Sequence, residues 1–488
     1  MPLLVGLDVG TQGARAIVCD ESGRVVALCS RSFSSDVSVD GLPSGRFEQH
    51  PRVWWEAAES ALVDVVAALK ETGRNVGEIA AIAVDSTSGT ILPVDDTGEP
   101  LRPALMYNDG RAEAEAKECN AAGAEFTDKL GYKFGSSFGL PKILWLARHE
   151  PNIWHNASRI IHAADYIVGK LTGDFSITDN SNAMKTGYDL MDGRWPEFIG
   201  TELGIDVGRL PNVVSPGEVI GAVSAQCASS TGLAAGTNVV GGVSDGTAGF
   251  VASGASGIGE WNSTIGTTLV MRGVSRELVK DPLGRVYCHK HPDGYWLPGG
   301  ASNVGGECLA KVFPNDDYDK LNACIGALLP TAMLVYPLMK RGERLPFVDG
   351  AAEGFVCGEA GTLEELYAAY LEGVAFVERW CFELMAELGA EVGDTVYATG
   401  GGAKSLEWMG IRACVLRRQL VRPAVTDSAM GAAVVAASRT VYSSLNEASK
   451  AMIRRDAEVG PVDRMVELYQ KRYSAFRREC AKRGIGEG

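Results

Sequence analysis

Three glycine-rich segments hold most of the residues in this chain that could do chemistry. The first, LeuAspValGlyThrGlnGlyAlaArg at 7 to 15, sets Asp8 at the end of an apolar run and puts Thr11 and Gly13 in a short Gly/Thr turn. A turn of this kind aims backbone NH groups and a hydroxyl at an anion, and a carboxylate at a strand end can hold hydrated Mg²⁺. A plain hairpin turn with solvent-facing polar residues fits the same letters, and the two readings stand side by side. The second, GlyGlyValSerAspGlyThrAlaGly at 241 to 249, places Asp245 among small residues at a strand-to-helix turn. Small neighbours admit another molecule, and the carboxylate could take a proton from a hydroxyl. Asp is also a common helix cap, the reading this segment favours on its own. The third, ThrGlyGlyGlyAlaLys at 399 to 404, lacks every Cβ that would keep a ring or phosphate off the backbone, and it precedes a helix start that favours anions.

Other motifs carry less. No GxxxxGK[ST] loop occurs, and no GxGxxG followed by an acidic ribose ligand. HisLysHis at 289 to 291 puts its histidines on one side of a strand with no third ligand, which reads as an ordinary strand. TrpTrp at 54 and 55 reads as core and rim packing rather than a sugar platform.

The elements that must position these loops follow from hydrophobic periodicity. Apolar runs at 3 to 7, 14 to 19 and 24 to 29, separated by polar turns, predict an antiparallel meander. Helical spacing predicts a helix over 51 to 69, and 79 to 84 is a buried strand ending at Asp85. Helices follow at 141 to 148 and 164 to 171, then loop and cap from 174 to 195. Near residue 240 the pattern restarts with a strand, SerAspGlyThr, and a second Gly/Thr loop, SerThrIleGlyThrThr at 263 to 268. Two copies of one nucleotide-clamping unit would produce this, although the similarity between the copies is weak. A long helix over 363 to 388, a strand over 395 to 398 and a helix from Ser405 complete an α/β pattern.

The chain has 488 residues, enough for two to four domains, with 46% hydrophobic and 22% charged residues, which excludes fibrous and disordered classes. A net charge of −15 has the wrong sign for gripping nucleic acid. With no basic leader and no apolar run of about 18 residues, we expect a soluble cytoplasmic protein with no membrane partner. The 11 cysteines are dispersed with no CxxC pair, so most are expected to be reduced and buried. The 59 glycines, about 12% where roughly 7% is usual, are concentrated in clusters.

Taken together, the chain resembles the FGGY carbohydrate kinase family. Beyond the three loops, the resemblance is carried by GluGlnHisPro (48 to 51), PheGlyLeuProLysIleLeuTrpLeu (138 to 146), AspAsnSerAsnAla (179 to 183), ArgGlyGluArgLeuPro (341 to 346), LeuGluGlyValAlaPhe (371 to 376) and MetGlyAlaAlaValValAlaAla (430 to 437). AspSerThrSerGlyThr (85 to 90), LeuMetTyrAsnAspGlyArgAla (105 to 112), TyrCysHisLys (287 to 290), TyrTrpLeuProGlyGlyAlaSerAsn (295 to 303) and TyrProLeuMetLysArgGlyGluArg (336 to 344) are similar to the D-ribulose kinase, or xylulose kinase-like, branch. Xylulokinases carry MetHisGly where this chain has ThrSerGly at 87 to 89.

The resemblance implies an α/β fold of two actin-like, ribonuclease-H-like domains with an interdomain cleft, here divided as 1–240 and 241–488. It implies ATP and Mg²⁺, and phosphorylation of the C5 hydroxyl of a pentulose, D-ribulose first, with D-xylulose or another sugar or polyol as the alternative. It makes Asp245 the catalytic base, Asp8 the carboxylate near Mg²⁺ and the transferred phosphate, and Thr87 and Ser88 sugar ligands. Thr11, Gly13, Thr264, Gly266 and Thr267 would clamp phosphates, while Gly401, Gly402 and Lys404 would border the adenosine. A non-sugar actin-like ATPase is the distant alternative. A homodimer through helices at 363 to 388 or 463 to 483 stands against burial of those helices in the core.

Overall fold

The computed structural model describes residues 1 to 486 and divides into two compact units. The first comprises Met1–Ala252, Pro292–Gly294 and Asp427–Ile453; the second comprises Ser253–His291, Tyr295–Thr426 and Arg454 onward.

The first unit is built on a six-stranded sheet. Strands β1 (Leu3–Val9), β2 (Gly13–Asp20) and β3 (Val25–Ser32) form the expected meander. Beyond β1, β4 (Ile79–Ser86) joins in parallel, then β6 (Asn238–Ser244) in parallel with β4, then β5 (Val219–Ala222) antiparallel at the edge. Both faces of β1 are covered, which is why it reads as a continuous apolar run rather than an alternating one. Leu3, Val5, Leu7 and Val9 pack in one cluster with Trp54, Ala58, Leu62, Val65 and Leu69 of helix α1 (Pro51–Glu71). On the other face lies Gly6, where a Cβ would stand 1.8 Å from the Ala429 carbonyl oxygen of the helix Ser428–Ala437. That helix, SerAlaMetGlyAlaAlaValValAlaAla, is mostly alanine, glycine and valine, and nine of its ten residues are buried. The glycine and alanines let two backbones come closer than side chains would allow.

The second unit repeats the plan. Strands β7 (Trp261–Ile265), β8 (Leu269–Gly273) and β10 (Trp296–Ser302) form an antiparallel meander extended by β9 (Tyr287–Lys290). Strand β11 (Thr395–Thr399) lies parallel to β7, β12 (Gln419–Pro423) parallel to β11, and β13 (Arg455–Val459) closes the edge. Three meander strands followed by two parallel crossovers thus occur in both sheets, the repeat anticipated from the Gly/Thr loops.

The repeat begins later than the sequence pattern suggested. The strand near 240 belongs to the first sheet, because Val240 pairs with Ala83 and Ser244 with Ser86, and the first unit runs on to Ala252 instead of stopping at 240. The helix Leu363–Glu387 is buried along most of its length, and Asp463–Lys482 turns Tyr469, Tyr473, Phe476 and Cys480 inward, so both helices serve the core of their own unit. All 11 cysteines are free and eight are buried. Among the described residues no helix is long and apolar enough to cross a membrane. Residues 174 to 195, expected as loop and cap, hold only short pieces, Ile177–Asp179, Asn180–Ala183 and Met184–Thr186.

Candidate functional site

In the first unit the parallel register of three strands aligns three carboxylates. Asp8 on β1 pairs with Asp85 on β4, Val243 of β6 also pairs with Asp85, and Asp245 follows directly on the end of β6. Residues far apart in the chain therefore meet at the carboxyl ends of adjacent strands, where open α/β sheets place ligands. Asp85 is fully buried, and neither of its carboxyl oxygens has a hydrogen-bond partner of good geometry. Burial first, and then the charge of nearby Asp8, push its pKa well above the ordinary carboxylate value. Asp8 is raised too, chiefly by burial, with the Asp245 charge adding to the effect and hydrogen bonding to Asp85 opposing it.

Asp245 opens the helix Asp245–Ala252, and its Oδ1 accepts from the neighbouring Gly246 NH at 2.6 Å, a contact one residue on rather than the two- or three-residue reach of a helix cap. A hydroxyl cluster underlies it: Ser181 Oγ donates to Ser244 Oγ at 2.8 Å, and Thr247 Oγ1 lies 3.1 Å from Ser244 Oγ. Ser181 is held by Asp179, whose carboxylate accepts from the Ser181 and Asn182 NH groups and whose pKa burial raises to about 6. The turn from Gly10 to Gly13 closes through a 3.0 Å bond from the Gly10 NH to the Gly13 carbonyl and leaves Thr11 exposed, while Arg15 pairs with Asp427.

Thr87 and Ser88 follow β4 directly. Thr87 Oγ1 lies 2.9 Å from Thr90 Oγ1, which accepts from the Tyr107 NH at 3.1 Å, tying two loops together. The Ser88 hydroxyl is buried and has no hydrogen-bond partner among the described residues.

The second unit assembles the other expected residues. Thr264 Oγ1 and Thr399 Oγ1 are 2.6 Å apart across the parallel strands β7 and β11. The Gly266 NH bonds the Thr268 carbonyl at 3.0 Å, and Thr267 is exposed at the turn. Gly400 to Gly402 fold over Ile265: a Cβ on Gly400 would lie 2.6 Å from the Ile265 carbonyl oxygen, and one on Gly402 2.7 Å from its Cβ. Lys404 is exposed, and Ser405 caps the helix Leu406–Leu416 by accepting from the Trp408 NH. Beneath these loops, wholly buried Arg412 holds Glu378 at 2.7 and 2.8 Å and donates to Ser263 at 3.2 Å. HisLysHis lies at the end of β9, and among the described residues no group of three or more His, Cys, Asp or Glu forms a metal site. Trp54 is core, its Nε1 donating to Gln49.

The structure thus gathers Asp8, Thr11, Gly13, Thr87, Ser88 and Asp245 in the first unit, and Thr264, Gly266, Thr267, Gly401, Gly402 and Lys404 in the second. Asp245 was expected in the C-terminal domain, apart from Asp8; pairing of β6 with β4 puts both in the first unit. Asp85 was not assigned a role from sequence, although its position at the end of a buried strand marked it.

Two sheets that share a three-strand meander followed by two parallel strands, each carrying a Gly/Thr loop, with carboxylates ending the parallel strands of one, describe a phosphotransferase of the actin-like kind. The chain belongs to the FGGY family of carbohydrate kinases: residues 3–252 match the family's N-terminal domain and 262–439 its C-terminal domain. It is similar to the xylulose kinase of Streptomyces rubiginosus, 30% identical over 484 residues covering 96% of this chain and 93% of that protein. The xylulose kinase of Bacillus subtilis is 25% identical over 488 residues, with 98% and 96% covered. The crystal structure of xylulose kinase from Rhodospirillum rubrum superposes with a TM-score of 0.85 at 28% identity, covering 98% of each chain. This chain is therefore a sugar kinase.

Proposed function

We propose that this kinase transfers the γ-phosphoryl of ATP to the C5 hydroxyl of a ketopentose, with D-xylulose as the first candidate. The observation that carries the reading is the row of Asp8, Asp85 and Asp245 beside the unpartnered, buried Ser88 hydroxyl. The xylulose kinases that match over nearly the whole chain support D-xylulose. D-ribulose is the second reading, favoured by ThrSerGly at 87 to 89, where small hydroxyl residues replace the MetHisGly of xylulokinases.

Phosphoryl transfer needs in-line approach and charge neutralisation more than covalent help. Asp245 takes the proton of the C5 hydroxyl as that oxygen attacks phosphorus, and the backbone NH of Gly246 keeps the carboxylate oriented. Thr87 and Ser88 hold sugar hydroxyls, and the unpaired Ser88 Oγ gains a partner only when sugar arrives. Thr11 and Gly13, with Thr264 and Thr267, offer NH groups and hydroxyls to phosphate oxygens, and Gly266, whose own NH closes the turn on the Thr268 carbonyl, leaves the backbone open to their approach. Gly401, Gly402 and Lys404 border the adenosine. Mg²⁺ would be held at Asp8 and Asp85: both carboxyl oxygens of Asp85 are buried with no hydrogen-bond partner of good geometry among the described residues, a cation would supply one, and Mg²⁺ takes few protein ligands. When bound it would supply neutralisation of phosphate charge.

The test is ADP release with Mg²⁺ATP against D-xylulose, D-ribulose, L-ribulose, ribitol, glycerol and no sugar. The highest kcat/KM is expected for D-xylulose. Equal turnover with and without every sugar would overturn the kinase reading in favour of a partner-driven ATPase.

A further inference from the structure

Lys142 lies in the helix Gly139–His149 and is completely buried. Apolar neighbours on the same helix, Leu140, Ile143, Leu144 and Leu146, already supply its packing face, so an ammonium is not needed there to bury the helix. Its Nζ donates to three backbone carbonyls from three separate segments: Gly89 at 3.0 Å, Met106 at 2.6 Å and Ser137 at 3.1 Å. Gly89 directly follows Ser88, Met106 precedes the loop whose Tyr107 NH bonds Thr90, and Ser137 leads into the helix. Three donors of an ammonium match three acceptors; the Met106 carbonyl also accepts from the Asp109 NH at 3.0 Å, so an apolar replacement would cost the Gly89 and Ser137 carbonyls their lysine partner and untie all three segments. The loop is gripped on its other side by Lys185, whose Nζ donates to the Ser88 carbonyl at 3.2 Å. There is no slack at the junction: Gly89 has φ +89°, and a Cβ on it would stand 2.6 Å from the Ser137 carbonyl oxygen.

We propose that Lys142 is a positioning residue for the acceptor sugar, gathering the 87–90, 106–109 and 135–138 segments around one ammonium so that the Ser88 hydroxyl is presented in a fixed place. This inference rests on the reading that Ser88 binds the sugar. Lys142 touches no reacting group, so its loss weakens sugar binding while chemistry on bound sugar continues.

The charges that face Lys142 are Asp109, which favours its protonated form, and Lys185 and Arg111, which oppose it. Burial is the largest influence and brings its pKa down to about 7. The neutral amine has two N–H donors for three carbonyls, so the clamp loosens as pH rises through that value. KM for sugar should climb over the same range.

The experiment compares wild type with Lys142→Met, which keeps the stem's volume and removes the donors. Wild type is first shown to need sugar for ADP release; if it does not, the kinase reading fails and this inference falls with it. Given that dependence, Lys142→Met should raise KM and the calorimetric Kd for sugar by about tenfold or more, the size of one or more lost charged hydrogen bonds. kcat and KM for ATP should stay within about threefold. The rise of sugar KM with pH should vanish in the variant. Unchanged sugar affinity, or kcat and both KM values altered together, would overturn the proposal. Should Lys142→Met fail to fold, Lys142→Gln, whose amide keeps donors, decides: a sugar Kd and KM equal to wild type refute the clamp.

Discussion

Two residues carry the sharpest tests. Asp245 sits half-exposed at a helix start, where an amide could still accept from the Gly246 NH. Asp245→Asn should therefore fold normally yet lose on the order of 10² to 10⁴ in kcat, the range for a positioned acid or base. Steady-state kinetics beside a circular dichroism melt would check this, and near-normal turnover would remove Asp245 from its role. Ser88→Ala tests the unpartnered hydroxyl in the opposite way. Because Ser88 Oγ makes no hydrogen bond among the described residues, its removal should leave the melting midpoint almost unmoved. Sugar KM should still rise roughly threefold to tenfold, the worth of one neutral hydrogen bond. A hydroxyl serving the fold would produce the reverse pattern. Asp245 stood out in the sequence as a carboxylate among small residues at a strand-to-helix turn, though that segment alone favoured a helix cap, and Ser88 was reached through the family resemblance. Asp85 was marked only as the end of a buried strand and Lys142 only as part of a family motif; neither was given a role, since a carboxylate ending an apolar strand and a lysine inside an amphipathic helix are ordinary letters until their neighbours are known.

Elements show where close packing and buried charge set limits. A Cβ at Gly6 would collide with backbone of the helix Ser428–Ala437, which cannot yield as a flexible side chain could. Gly6→Ala should cost about 1–3 kcal/mol or more in denaturant unfolding and disturb β1, the strand that carries Asp8. In the second unit, Glu372 on the helix Leu363–Glu387 is buried, accepts from Thr331 and Tyr469, and has its pKa raised to about 7, chiefly by burial. A carboxyl with a raised folded pKa binds its proton more tightly folded than unfolded, so its contribution to stability falls as pH rises from the unfolded value near 4.5 through about 7. The neutral isostere in Glu372→Gln lacks this dependence. Its stability relative to wild type should improve between about pH 5 and about pH 8, by up to about 3 kcal/mol, as urea melts at several pH values would show. A pH-independent difference would mean that Glu372 is ionised throughout. Most of these elements were legible from periodicity: the helices expected over 51 to 69 and 363 to 388 occur as Pro51–Glu71 and Leu363–Glu387. The burial of Glu372 was not, because period gives the face of a helix and not what is packed against each position on it.

Over the whole molecule, the two units should respond to different ligands. Sugar should slow hydrogen exchange at residues 87 to 90 and 106 to 109 of the first unit, and a nonhydrolysable ATP analogue should do so at 264 to 267 and 400 to 404 of the second. Protection of 400 to 404 by sugar alone, with none by nucleotide, would reverse the assignment of the loops. The sequence by itself determined the α/β class, the family and the repeated Gly/Thr loops, because turns and strand ends are written in short stretches whose chemistry is local; Asp8, Ser88 and Asp245 it only nominated, the last two through the family resemblance, and the kinetic tests above decide their roles. Only the tertiary structure decided that β6 lies beside β4, so that Asp245 joins Asp8 in the first unit and the second repeat begins at β7. It also decided that Asp85 faces Asp8, and that one lysine meets three carbonyls from distant segments. Strand partners and buried polar contacts are settled by which surfaces can be covered together, a property of the whole chain that no local spacing encodes.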